Sequence, residues 1–394
     1  MSDILKKASE LKSVLSEKAA GAIDSAAAAK EVFDEKTLAA KEVIGEKANE
    51  LAATAGDFFE QSVGSRLEGS RFEAPILDDK PDDMVWYRVP IDGGMAGDGS
   101  EYHIYIKKGT AAKKLCIFFS GGGVAWNEKM AQSPVTGGRV AAWQPNYYWN
   151  NLRPFTQIMN INVGITDLHD VNPFYDWSFA VITYATGDFH LGSFDYDYTD
   201  EEGEKRTLHF RGHDNFKKSM ERIVEFFPDP DQLLIAGDSA GAFATPALSP
   251  EIIDDYYPDV TDVTLFSDSA LLLRTGWKNT IKNMWHATDA ICDPIHTSNI
   301  TADWYEHLTK SYGDRCRFLY ASSTHDYLLS AFINEERSGE YFTDEATQNE
   351  YAVSLKEMYE RMSGYEKQLS FFIYDFKMPQ LFGRGGRSEE RRVG

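Results

Sequence analysis

Gly237-Asp238-Ser239-Ala240-Gly241 places a serine between two glycines directly after the apolar run Leu233-Leu234-Ile235-Ala236. A strand that turns this sharply into a helix, with small residues on either side, holds a serine hydroxyl out at a sheet end, where it can attack an acyl carbon. The alternative is a buried strand ending in a glycine-rich turn. A second motif strengthens the chemical reading. The run 115–119 leads into Ser120-Gly121-Gly122-Gly123-Val124-Ala125-Trp126-Asn127. A glycine triplet after a strand lets backbone N–H groups face a cavity unobstructed, as donors to a tetrahedral oxyanion, together with the N–H of Ala240, the residue after the serine. Its alternative is a flexible turn.

Other residues suggest different chemistry. His209 and His213 have the i, i+4 spacing of two metal ligands on a helix, but a glycine interrupts them and no glutamate lies between, so a helix start is the simpler reading. Asp188 and His190 are expected as a hydrogen-bonded pocket wall at a strand end rather than a ligand pair. The acidic run 195–204 is expected to be a solvated loop, with calcium binding the weaker alternative because EF-hand spacing is absent.

These residues need a framework. Residues 84–90 and 102–107 alternate like a hairpin joined by a glycine-rich loop. Residues 114–120, 179–185, 233–236, 263–266, 317–321 and 369–374 read as buried strands, and 214–227, 302–312 and 343–362 have helical spacing, while residues from 240 on can start a helix. The alternation predicts an α/β fold with a mainly parallel sheet and helices on both faces. Ser239 then falls beyond a strand's carboxyl end, where such sheets bind ligands.

Residues 1–63 differ. They are rich in Ala, Lys and Glu, lack proline, and repeat at Lys12–Lys18, Lys30–Lys36 and Lys41–Lys47. Offsets of 18 and 11 residues return to nearly one helix face, giving a narrow apolar stripe and an amphipathic helical extension. A helix that docks or self-associates, a reversible membrane-surface helix and a disordered tail are the three readings. Residues 64–83, with clustered Gly, Ser, Pro and Asp, read as a linker, and 84–386 as the catalytic domain.

The bulk properties narrow the partners. The chain has 394 residues with 42% hydrophobic and 13% aromatic content, enough for a large core. A formal net charge of -22 argues against nucleic acid and against tight binding of a polyanion such as de-esterified pectin. The three cysteines, Cys116, Cys292 and Cys316, follow no framework spacing, and Cys116 reads as a small buried hydrophobe. No secretory signal or membrane-length apolar run is visible, which makes the cytoplasm the simplest expected location, with export by another route as the alternative.

The chain resembles the pectin acetylesterases and the Notum carboxylesterases of the α/β-hydrolase superfamily. The resembling pieces are Phe118-Phe-Ser-Gly-Gly-Gly-Val-Ala-Trp126, Asn172-Pro-Phe-Tyr-Asp-Trp177, Tyr184-Ala-Thr-Gly-Asp-Phe-His-Leu-Gly192, Gly237–Gly241, Asp268-Ser269 and Thr324-His-Asp-Tyr-Leu-Leu329, in family order. The resemblance implies a serine carboxylesterase needing no cofactor or metal, acting on a small-molecule or carbohydrate ester. It makes Ser239 the nucleophile and Asp326 the triad acid, with Gly122, Gly123 and Ala240 as the oxyanion hole. Trp126, Asp188, His190 and Asp268 are expected around the substrate pocket.

A serine triad also needs a base, and the superfamily order is serine, acid, histidine. The last histidine here is His325. Arg387-Ser-Glu-Glu-Arg-Arg-Val-Gly394 reads as a translated sequencing adapter, which predicts an incomplete gene that stops short of the family's histidine; a naturally basic tail is the alternative. Asp268 as acid with His325 as base is a rescue arrangement within the chain. A non-catalytic ester- or lipid-binding protein, tethered to a surface or self-associating through residues 1–60, is the competing function.

Overall fold

The computed structural model describes residues 74–111, 113–132, 160–200, 203–365 and 368–375. They belong to one of the chain's two units, Glu60–Gly394. The expected helical extension 1–63 and the expected adapter-derived residues 387–394 lie outside the described residues.

Eight strands form one sheet in the order β1-β2-β4-β3-β7-β8-β9-β10. They are β1 (Trp86–Met95), β2 (Glu101–Lys107), β3 (Lys114–Phe119), β4 (Ser178–Ile182), β7 (Gln232–Asp238), β8 (Asp262–Asp268), β9 (Cys316–Ser323) and β10 (Leu369–Tyr374). β2 is antiparallel to both β1 and β4, and every pairing from β4 to β10 is parallel. Counted within this sheet alone, the order is 1-2-4-3-5-6-7-8 with an antiparallel second strand, the arrangement of the α/β-hydrolases.

The strand sequences explain the layering. Successive side chains point to opposite faces, so a strand buried on both sides is continuously apolar. Leu115, Ile117 and Phe119 of β3, with Leu233 and Ile235 of β7, enter one core. Cys116, Leu234 and Ala236 enter the other. The first core receives side chains from α1 (Gly212–Phe226), α2 (Ala240–Glu251), α3 (Ile300–Tyr312), α4 (Tyr327–Ser338) and α5 (Glu345–Met362). On the second face Ile161, Ile165, Phe174 and Trp177 cover the sheet. Pro75 and Leu77, at the end of the expected linker, hydrogen-bond Arg88 in β1.

The acidic run 195–204 departs from expectation. It belongs largely to a hairpin of β5 (Phe194–Thr199) and β6 (Lys205–Phe210). Partners meet its aspartates: Asp195 meets His209 and Arg211, Asp197 accepts from Thr207, and Asp200 pairs with Arg206. Tyr196 and Tyr198 supply the apolar side and pack against the first core. His209 is consequently in a strand and His213 in α1, where it binds Glu251 at 2.8 Å, so the pair shares no helix face. Among the described residues, no group of three or more His, Cys, Asp or Glu is poised to hold a metal.

Candidate active site

β7 ends at Asp238 and α2 begins at Ala240, leaving Ser239 alone to make the turn, with φ 47° and ψ -118°. That is a sparsely populated region for a residue with a Cβ, and it persists only where neighbours enforce it. The enforcement is local. A Cβ on Gly241 would collide with the Phe119 carbonyl, and one on Gly237 with the Gly241 carbonyl. Ser239 N–H donates to Asp268 O at 2.9 Å and its carbonyl accepts from Ala242 N–H at 2.9 Å. α2 carries Pro246, which cannot donate to the Ala242 carbonyl; the Ser267 hydroxyl does so instead, at 2.8 Å. The helix below the serine is thereby tied to β8.

Opposite the elbow lies the glycine loop. A Cβ on Gly121 would come within 2.8 Å of Ser239 Cβ, and one on Gly122 within 2.6 Å of Tyr184 Cδ1. Gly123 has φ 101°, a conformation that favours glycine. Among the described residues, the N–H groups of Gly122, Gly123 and Ala240 donate to no acceptor. Donors free of internal partners beside a protruding serine can receive a developing oxyanion.

Asp188 and His190 sit beneath this loop rather than on an open wall, at 0% and 2% exposure. Asp188 accepts from the Thr186 hydroxyl and from the N–H groups of His190, Gly192 and Gly212, at 2.6 to 3.2 Å. It thereby staples a turn in which Phe189 and His190 both have positive φ. His190 Nε2 lies 3.0 Å from the Ser120 carbonyl. Burial pushes its imidazole down to about 4, so it is neutral at neutral pH and donates Nε2–H to that carbonyl. Trp126 is likewise buried, packed against Trp277 and Phe332, with the Arg274 guanidinium over its ring.

The carboxylates gather at the ends of β7, β8 and β9. Asp326 caps α4, accepting the Leu329 N–H at 2.8 Å. Burial pushes its carboxyl up, while hydrogen bonds from Leu329, Ser269 and Leu328 restrain it, and Asp268 adds a like charge. Burial raises Asp268 too, against the Ser269 hydroxyl 3.0 Å away. Asp238 presents surface to solvent, yet the protein packed about its carboxyl, and then the charge of Asp268, push it up to about 6.

No histidine nitrogen reaches Ser239 or Asp326 among the described residues. His325 Nδ1 lies 2.6 Å from Asp375 Oδ1 and 3.0 Å from Thr324 Oγ1. The rescue arrangement of Asp268 with His325 is therefore not formed. The structure also adds two residues that motif reading passed over. Tyr184 presses on Gly122 and accepts the Phe189 N–H at 3.0 Å. Asp238 accepts the Gly121 N–H at 2.9 Å. The position of Asp238 inside the elbow motif was the available signal.

Comparison with known proteins gives three results. No curated protein sequence matches significantly. Among solved structures, the chain is similar to the Wnt deacylase Notum from Drosophila, at 16% identity and a TM-score of 0.45, over 71% of this chain and 80% of that one. A family model, Pectinacetylesterase, matches residues 89–328, more than half of the chain, from within β1 through the elbow to Asp326. The chain belongs to the pectinacetylesterase family of esterases.

Proposed function

We propose that the protein is a serine carboxylesterase that removes acetyl or other short acyl groups from a sugar or alcohol. The observation that carries this reading is the backbone of Ser239, forced to φ 47° at a parallel strand's carboxyl end, beside a glycine loop whose Gly122 and Gly123 amides have no acceptor among the described residues. Ser239 Oγ attacks the ester carbonyl carbon and the carbonyl electrons move to oxygen. The N–H groups of Gly122, Gly123 and Ala240 hold that oxyanion, each donor worth up to about 3 kcal/mol. Collapse expels the alcohol oxygen, which takes up a proton, and water then hydrolyses the acyl-serine. In this reading Asp326 is the triad acid, and Trp126, Asp188 and His190 support the pocket from beneath.

The serine proton needs an acceptor. Since no imidazole contacts Ser239 among the described residues, the expected basal rate is low, and the oxyanion hole and binding account for what remains. This same observation favours the second reading, a non-catalytic ester- or lipid-binding protein. Hydrolysis of p-nitrophenyl acetate, measured with and without added imidazole as a diffusible base, separates the two. The esterase reading expects a rate above that of Ser239→Ala at equal imidazole, and covalent labelling at Ser239 by a fluorophosphonate probe. Equal rates in both proteins with no label on Ser239 would leave binding as the function.

A further inference from the structure

We infer that Asp238 is a positioning residue for acyl transfer, its carboxylate latching the glycine loop to the nucleophile's strand through the Gly121 N–H. This rests on the reading of Ser239 as nucleophile. β3 and β7 pair in register up to Phe119↔Gly237 and then part, β3 into the glycine loop and β7 into the elbow. Beyond that last pair the Gly121 N–H has no strand partner. Asp238 Oδ1 takes it at 2.9 Å, a side chain continuing the ladder where the backbone has turned away. A charged acceptor makes this bond stronger than a neutral one.

Among the described residues, the loop's other fixed points flank the two proposed donors. Ser120 is held from one side, by Ile182 O, Tyr184 N–H and His190 Nε2. Ala125 N–H is held at the far end by Gly187 O at 2.9 Å. Gly122 and Gly123, the proposed donors, lie between, and Gly121 is their immediate anchor. Without that anchor, three consecutive glycines are free to rotate their N–H groups away from the Ser239 carbonyl adduct. An oxyanion donor displaced by about 1 Å can cost on the order of 100-fold. Gly121 also packs so close to Ser239 that an added Cβ would come within 2.8 Å of the serine Cβ, so the latch fixes the distance between loop and nucleophile.

Two readouts test the latch. The first is fluorophosphonate labelling of Ser239 in imidazole buffer, resolved into a maximal rate and a half-saturating concentration. Asp238→Ala is expected to lower the maximal rate about 10- to 100-fold with little change in half-saturation, and Asp238→Asn, which keeps an acceptor oxygen, to recover most of it. The second is hydrogen exchange of the Gly121 amide, which needs no catalysis. It should be protected at least about tenfold over an exposed loop amide in the wild type, and lose that protection in Asp238→Ala. A folded Ala variant labelled at the wild-type rate overturns the inference, as does an Asn variant as slow as Ala. An unprotected wild-type Gly121 does so even where the Ala variant fails to fold. Absent labelling of Ser239 with a protected Gly121 overturns acyl transfer itself; labelling with an unprotected Gly121 overturns the latch alone.

Discussion

His190 donates its Nε2–H to the Ser120 carbonyl from a left-handed backbone, and burial pushes its imidazole down to about 4. In the unfolded chain the same group titrates near 6.5. Between those values the unfolded chain binds more protons, so this contribution to stability is present above about 6.5 and lost as pH falls towards 4, at most about 3 kcal/mol. Asp188 and Asp238, both raised, act in the opposite direction over a similar range. Comparison with His190→Gln isolates the histidine: thermal melts from pH 7 to 4 should fall less steeply for the variant, and parallel curves would refute the assignment. At Asp188 the expected outcome is sharper. Its two oxygens accept four donors, two each, so Asp188→Asn sets an NH2 against N–H or O–H donors and should cost about 2–4 kcal/mol in denaturant melts. Motif spacing already marked these two residues as partners in a strand-end loop. That they lie under the glycine loop was not legible, because the acceptor of His190 is 70 residues away.

At the scale of elements, the elbow depends on β3 approaching α2 closely. Gly241→Ala would place a Cβ against the Phe119 carbonyl, a backbone group rather than the far end of a flexible side chain. A loss of about 3 kcal/mol or more is expected, seen as a lower melting midpoint and a lost Ser239 label; a wild-type midpoint would contradict this packing. The strands and long helices were readable because their apolar periods are strong. Residues 114–120 and 317–321 fall on β3 and β9, and 343–362 on α5. The β5–β6 hairpin was not, since its alternating aspartates look like a solvated loop until His209, Arg211 and Thr207 are brought opposite them. α4 is not legible either: Asp326 stands out in the sequence for its chemistry, although it also caps that helix.

Over the whole molecule, charge governs which esters can approach. The formal net charge is -22, and Asp238, Asp268 and Asp326 converge at the strand ends around Ser239. Burial raises all three, the charge of Asp268 adds to the rise at Asp238 and Asp326, and an anionic substrate would meet the same field. An acetylated neutral oligosaccharide is therefore expected to be deacetylated with a higher kcat/KM than an acetylated oligogalacturonate. The gap should narrow as salt rises from about 20 to 300 mM, because the screening length shortens to several ångströms. A preference for the polyanion that survives high salt would contradict the electrostatic argument.

Local order along the chain sufficed to identify a parallel α/β sheet, a serine on a glycine-flanked turn and a glycine triplet able to bare its amides, since each depends on neighbours within a few residues. Pairing across the sheet was needed for the rest. Only there does Gly121 come against Ser239, Asp238 take the amide that β3 leaves behind, and Asp268 and Asp326 approach within mutual repulsion. Register between strands from distant parts of the chain sets those contacts, and no periodicity within a single segment encodes it.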